Sequence, residues 1–175
     1  MKCEYLGDSY DAVKRLWRQL LADVAPLYAE PQFLPEDLRE DFTQLTEIPV
    51  LLPPLPDRFS ILNDPDTGIR LPNALNQRVT RTHTSITAIV EQFQGHCPRC
   101  IVTFDQSDYR RNDLRRDEQR QAKLRSLRES GCVGFYYVSH APFLFAFANN
   151  AALHEVYNRL IDAGIPADRF EQEQG

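Results

Sequence analysis

Residues 100–107 read Cys100-Ile101-Val102-Thr103-Phe104-Asp105-Gln106-Ser107. Five residues rich in β-branched and aromatic side chains run without polar alternation. That pattern describes a strand buried on both faces. The run ends abruptly in three polar residues, and in an open parallel sheet ligands bind outside the carboxyl ends of the strands. This segment therefore predicts both an interior strand and a place where chemistry would gather.

Working outward, Ile86, Ile89, Val90 and Phe93 recur at helical spacing before the strand, with Gly95 as a stop. A helix over 113–130 follows it, with Leu114, Leu124 and Leu127 inward and Gly131 ending it. Residues 133–138 and 143–148 read as two strands joined by Ser139-His140-Ala141-Pro142, a hairpin. Leu153, Val156, Tyr157, Leu160 and Ile161 form the last helix, and 171–175 a loose tail.

Towards the N-terminus, 59–62 is a strand broken by Asn63-Asp64-Pro65-Asp66-Thr67-Gly68, with a polar loop to about Arg81. Weaker strands are expected at 3–6, 27–33 and 48–52. Tyr10, Val13, Trp17, Leu20, Leu21 and Val24 mark the first helix, capped by Asp8 or Ser9. Leu38, Phe42 and Leu45 mark a short helix led by Pro35. Alternating strands and helices predict one α/β domain over 1–170. Its sheet would be mostly parallel and doubly wound (Rossmann-like), with a C-terminal β-hairpin and helices on both faces.

At 175 residues, 42% hydrophobic and 26% charged, the composition is that of a globular domain. It excludes a disordered chain, a collagen repeat and a disulfide-knotted miniprotein. No apolar run approaches the ~20 residues of a membrane helix, and Met1–Tyr5 lacks a signal-peptide core. A soluble, cytoplasmic protein is expected, with Cys3, Cys97, Cys100 and Cys132 as free thiols. Cys97-Pro98-Arg99-Cys100 runs into a strand, the wrong context for a redox pair. Net charge is −5, but 108–129 carries eight basic against five acidic residues, leaving −8 elsewhere. The +3 stretch reads as a solvated helix face or as a local phosphate patch.

Four polar clusters follow strands: Gly7-Asp8-Ser9, Asp64 to Gly68, Asp105 to Ser107, and Ser139-His140. Each has a plain structural reading as a turn or cap. Their joint placement on one rim supports three functions. In the first, Asp64, Asp66 and Asp105 hold Mg²⁺ or Mn²⁺ through hard oxygen ligands. His140 then serves as acid or base. Thr67, Gln106, Ser107, Ser139, Arg110 and Arg111 contact substrate, the arginines clamping phosphate. The ligand is a nucleotide or nucleic acid and the reaction phosphoester hydrolysis. In the second, the element order, with Asp64-Pro65-Asp66 in the loop after a central strand, resembles class I S-adenosylmethionine-dependent methyltransferases. That resemblance implies a cofactor at Gly7, Asp8 and Ser9. In the third, the aromatic hairpin (Tyr136, Tyr137, Phe143, Phe145, Phe147) leaves rings outward for a homodimer or partner, and the chain is a binding module.

The strings Gly7-Asp8-Ser9-Tyr10-Asp11, Asp64-Pro65-Asp66-Thr67-Gly68, Phe104-Asp105-Gln106-Ser107 and Tyr137-Val138-Ser139-His140 are also similar to a family of small bacterial proteins that carries no assigned activity.

Overall fold

The computed structural model describes residues 6–74, 78–106 and 114–173. Its main sheet has six strands: β1 (Leu27–Ala29), β2 (Ser60–Asn63), β5 (Ile101–Phe104), β7 (Phe143–Phe147), β6 (Val133–Tyr137) and β8 (Phe170–Gln172), in that spatial order. Two short strands, β3 (Gly68–Ile69) and β4 (His83–Thr84), pair in parallel beside it. The helices are α1 (Ser9–Leu21), α2 (Arg39–Thr46), α3 (Ile86–His96), α4 (Arg116–Glu129) and α5 (Asn150–Asp162).

β1, β2 and β5 are parallel neighbours, whereas β5·β7, β7·β6 and β6·β8 are antiparallel. The architecture is mixed α/β, and the expectation of a mostly parallel sheet is corrected. The hairpin does not simply add a strand outside the sheet. Its second arm, β7, inserts between β5 and β6, and the chain end returns as β8. Insertion of β7 leaves β6 running the same way as β1, β2 and β5. All four carboxyl ends therefore open on one rim.

Period-two alternation feeds two cores. Leu62, Val102, Phe135, Phe143, Phe145 and Phe147 face α1, α2 and α5, packing with Trp17, Leu21, Phe42, Leu153 and Val156. Ile61, Ile101, Tyr136, Leu144 and Ala146 face α3 and α4, packing with Ile89, Phe93, Leu124 and Leu127. Helices cover both faces, as expected. Trp17 sits edge-on to Tyr137, Phe143 and Phe145 at centroid distances of 4.8, 6.0 and 5.2 Å. Each such buried side chain contributes roughly 1.5–3 kcal/mol. Tyr136, Phe143, Phe145 and Phe147 are all fully buried. These four rings belong to the core, because both sheet faces are covered, while Tyr137 is half-buried against Trp17.

Other boundaries differ for local reasons. The 27–33 strand stops at Ala29 because Pro31 opens a 3-10 turn. Residues 48–52, bounded by prolines, supply one parallel bridge, Val50 to Ala29. Most of the 3–6 strand lies outside the described residues, and Leu6 is in a turn. α3 passes Gly95 and ends at Cys97, which takes the left-handed cap at φ 51°. Residues 171–173 are held, not loose: Arg120 and Gln121 bind the Glu171 carboxylate, and Arg128 lies 2.9 Å from Glu173. No helix among the described residues is long and apolar enough to cross a membrane.

Candidate functional site

α1 begins at the rim because the Asp8 Oδ1 accepts from the Tyr10 and Asp11 backbone N–H groups, at 2.8 and 3.3 Å. One turn further, Asp11 and Lys14 fall on the buried side of the helix, in register with Trp17 and Leu21. The Lys14 ammonium donates to Asp11 Oδ1 at 2.8 Å and to Asp64 Oδ2 at 2.7 Å. It lies 5.8 Å from the Phe42 ring centroid. Burial alone would push Lys14 down. The charges of Asp64 and Asp11, with their hydrogen bonds, outweigh it and hold the ammonium above its ordinary value. This lysine is a permanent cation tying α1 to the loop after β2.

Asp105, after β5, is spent in the same way. Its Oδ1 accepts from the Ile69 N–H at 2.9 Å. Its Oδ2 accepts from Lys123 Nζ and from the Tyr136 hydroxyl, each at 2.7 Å. Lys123 comes from α4 and is completely buried. Burial, with the Asp105 charge beside it, pushes the Tyr136 phenol well up. A third buried network ties β1, β2, β5 and α3. Asn63 Nδ2 donates to Gln92 Oε1 at 2.7 Å and to Thr103 Oγ1 at 3.3 Å, and Gln92 Nε2 donates to Asn63 Oδ1 at 3.0 Å and Glu30 Oε2 at 3.2 Å.

Above these networks lie two adjoining cavities. The first, about 220 Å³, is lined by Asp8, Tyr10, Lys14, Asp64, Pro65, Asp66, Phe104 and Gln106. The second, about 320 Å³, is lined by Asp105, Gln106, Arg116, Asp117, Arg120, Val138, Ser139, His140 and Pro142. Gln106 is common to both, and its amide donates to the Tyr10 hydroxyl. The Tyr10 ring stacks on the exposed His140 imidazole, with centroids 5.8 Å apart and planes 29° apart.

No family model, curated protein or solved structure matches the chain.

The rim thus brings together Asp8, Asp64, Asp66, Asp105, Gln106, Ser139 and His140. Among the described residues no group of three or more His, Cys, Asp or Glu side chains is placed to hold an ion. Lys14 and Lys123 stand against the Asp64 and Asp105 carboxylates instead. Ser139 is locked in the hairpin turn, its Oγ donating to the Ala141 carbonyl and accepting from the Ala141 N–H. Thr67 lines neither cavity; its N–H bonds the Thr82 carbonyl at 2.9 Å. Gly7 and Ser9 serve the entry to α1, where Gly7 donates to Asp11 Oδ2 at 2.7 Å. Ser107, Arg110 and Arg111 lie outside the described residues.

Sequence reasoning passed over Lys14, Lys123, Tyr10 and Arg116. A signal was present for the first two. Lys14 interrupts the apolar stripe one turn after Tyr10 and one before Trp17, and Lys123 stands one turn before Leu127. A lysine inside an apolar stripe needs a buried carboxylate, and each found one in a neighbouring loop.

Proposed function

We propose that this chain is a cytoplasmic protein that binds a small phosphate-bearing ligand at the carboxyl-end rim, using the rim as doubly wound sheets do. One observation carries the reading: Arg116, the N-terminal turn of α4 and His140 border a single cavity, whose Asp105 is paired with Lys123, beside a second, acidic one. A helix N-terminus and guanidinium groups favour an anion. The free thiols of Cys97, Cys100 and Cys132 suit a reducing compartment. If the ligand is also hydrolysed, His140 is the acid–base group at the rim, since Asp64 and Asp105 already hold ammonium groups.

The test is calorimetric titration with pyrophosphate and ribose 5-phosphate at low salt. Binding should weaken with added salt and fall by about tenfold or more in Arg116→Ala. If neither compound binds, or Arg116→Ala binds as well as the parent, the reading is wrong.

A second reading, a methyltransferase-like site for S-adenosylmethionine, has one observation in its favour. The first cavity is lined by carboxylates and by the Tyr10 and Phe104 rings, a lining that suits a sulfonium ligand. Titration with S-adenosylmethionine that releases no heat removes it.

A further inference from the structure

The polar groups of the rim divide by whether their hydrogen bonds are already made. Asp64, Asp105 and Ser139 are engaged within the fold. Where the two cavities meet, Gln106, Tyr10 and His140 keep capacity in hand. Gln106 spends one amide N–H on the Tyr10 hydroxyl; among the described residues its second N–H and its Oε1 meet no partner. The Tyr10 hydroxyl accepts that bond, and its own proton meets no acceptor among them. His140 is exposed, and its described contact is the stack on Tyr10.

All three side chains stand on fixed backbone. Gln106 follows Asp105, which Ile69, Lys123 and Tyr136 hold. Tyr10 opens α1, its N–H bound by the Asp8 cap. His140 rides the turn locked by Ser139, and the Pro142 carbonyl ties that turn to the Asp105 N–H at 3.0 Å. The imidazole lies against the Tyr10 ring and also lines the second cavity. Tyr10 in turn stands 5.2 Å from the Phe104 ring in the first. Such rings offer a stacking surface to a flat ligand. Sites for small molecules usually span roughly 300–1,000 Å³. The first cavity alone, about 220 Å³, falls short, and the two together fall within that range.

We propose that this junction takes a planar heteroaromatic ring of the nucleobase class. The ring stacks on the Tyr10–His140 pair, and the Gln106 carboxamide reads its edge. Oε1 accepts from an N–H of the ring, and the remaining amide proton goes to the ring nitrogen or carbonyl beside it. Neither contact depends on the charge of either cavity. The proposal rests on the reading of the rim as a ligand site and adds the ring to it.

The experiment is calorimetric titration of the full chain with two nucleosides and their blocked counterparts. Adenosine is paired with purine riboside, which lacks the amino donor, and uridine with 3-methyluridine, which lacks the ring N–H. Ribose 5-phosphate and pyrophosphate form the arm without a base. Adenosine or uridine should bind, about fivefold tighter than its own counterpart, the value of one neutral hydrogen bond. Gln106→Leu should make the two members of that pair equal. His140→Ala should weaken both about fivefold or more, and His140→Phe, which returns a ring without the imidazole nitrogens, should restore them. Equal affinity within each pair overturns the edge contact, and an affinity unmoved by His140→Ala overturns the stack. Binding of the phosphate compounds with no nucleoside bound overturns the ring and leaves the phosphate reading intact. A nucleoside bound without either phosphate compound upholds the ring and counts against the phosphate. Failure of every compound to bind overturns both.

Discussion

Replacing Lys123 with methionine tests whether Asp105 is a structural post or an available ligand. The substitution keeps the length and apolar stem of the side chain and removes only the ammonium. Asp105 is 4% exposed and Lys123 is 0% exposed, with 2.7 Å between the charged atoms. Loss of one partner from a buried pair typically costs about 3–5 kcal/mol, because the other charge is left uncompensated. The Tyr136 hydroxyl and the Ile69 N–H still donate to the carboxylate, which places the expected loss near the lower end, ~3 kcal/mol. For a chain of this length each kcal/mol shifts Tm by roughly 2–4 °C, so Lys123→Met should melt about 6–12 °C lower. Urea unfolding with an unchanged m value is the assay. In the double variant Lys123→Met with Asp105→Asn, the neutral amide keeps its oxygen for the Ile69 N–H and turns its NH₂ to the Tyr136 hydroxyl, which then accepts, and at least half the loss should return. A loss below ~1 kcal/mol, or a double variant no more stable than the single one, would refute the pairing argument.

Gly68 has φ 137°, and a Cβ there would lie 2.4 Å from Asp105 Oδ1 and 2.8 Å from the Asp105 Cα. Gly68→Ala should therefore destabilise the chain by about 1–3 kcal/mol in urea; an unchanged midpoint would contradict the close approach. Gly95 is helical with open space around it, so Gly95→Ala should stabilise by about 0.5–1 kcal/mol. Cys97→Gly should do likewise, by about 1 kcal/mol, through relief of the left-handed cap at φ 51°. Burial pushes the Cys100 thiol up from 9.0 and the Tyr136 phenol up from 10.0. Despite its burial, Lys14 is held above 10.5 by Asp64 and Asp11. In each case the folded chain keeps a proton that the unfolded chain releases. Their contribution to stability should be constant below about pH 9 and then fall by ~1.4 kcal/mol per pH unit for each group engaged. Burial also raises the Cys132 thiol, so Cys100→Ala and Cys132→Ala together should delay the onset towards pH 10; urea midpoints that stay level to pH 11 would disprove the scheme.

The strands legible in the sequence were those whose burial is written in composition. Residues 101–104, 133–137 and 143–147 are apolar enough to be interior wherever they pair, and all three are strands. Their order was not legible. Nothing in 143–147 states that this arm inserts between β5 and β6, because pairing partners are chosen by how helices cover the two faces, not by local pattern. The last strand was missed for a related reason. Phe170-Glu171-Gln172 is polar at its centre, and its place depends on Arg120 and Gln121 reaching Glu171 from α4. A contact across fifty residues leaves no periodicity to read.

The site shows the same division more sharply. Position could be read, because polar residues after buried strands fall at a rim once the strands run the same way, and β2, β5 and β6 do. Role could not. Asp64 and Asp105 look alike in sequence to metal-ligating carboxylates, yet each lies against a lysine from a helix that packs beneath the rim. A carboxylate that neutralises a buried ammonium gives up part of that pairing if it turns to another cation; Lys14 would keep Asp11, whereas Lys123 would lose the Asp105 carboxylate 2.7 Å away. The rim aspartates thus divide by what stands under them. Asp64 and Asp105 fix the backbone of the loops, and the side chains carried on those loops, Asp66 and Gln106, line the cavities. That division explains why Gly68 must be glycine: β3 is drawn against Asp105 so closely that the post leaves no room for a Cβ. The two buried lysines are in this sense the foundation of the rim, and selectivity for a ligand rests with the residues one step further along each loop.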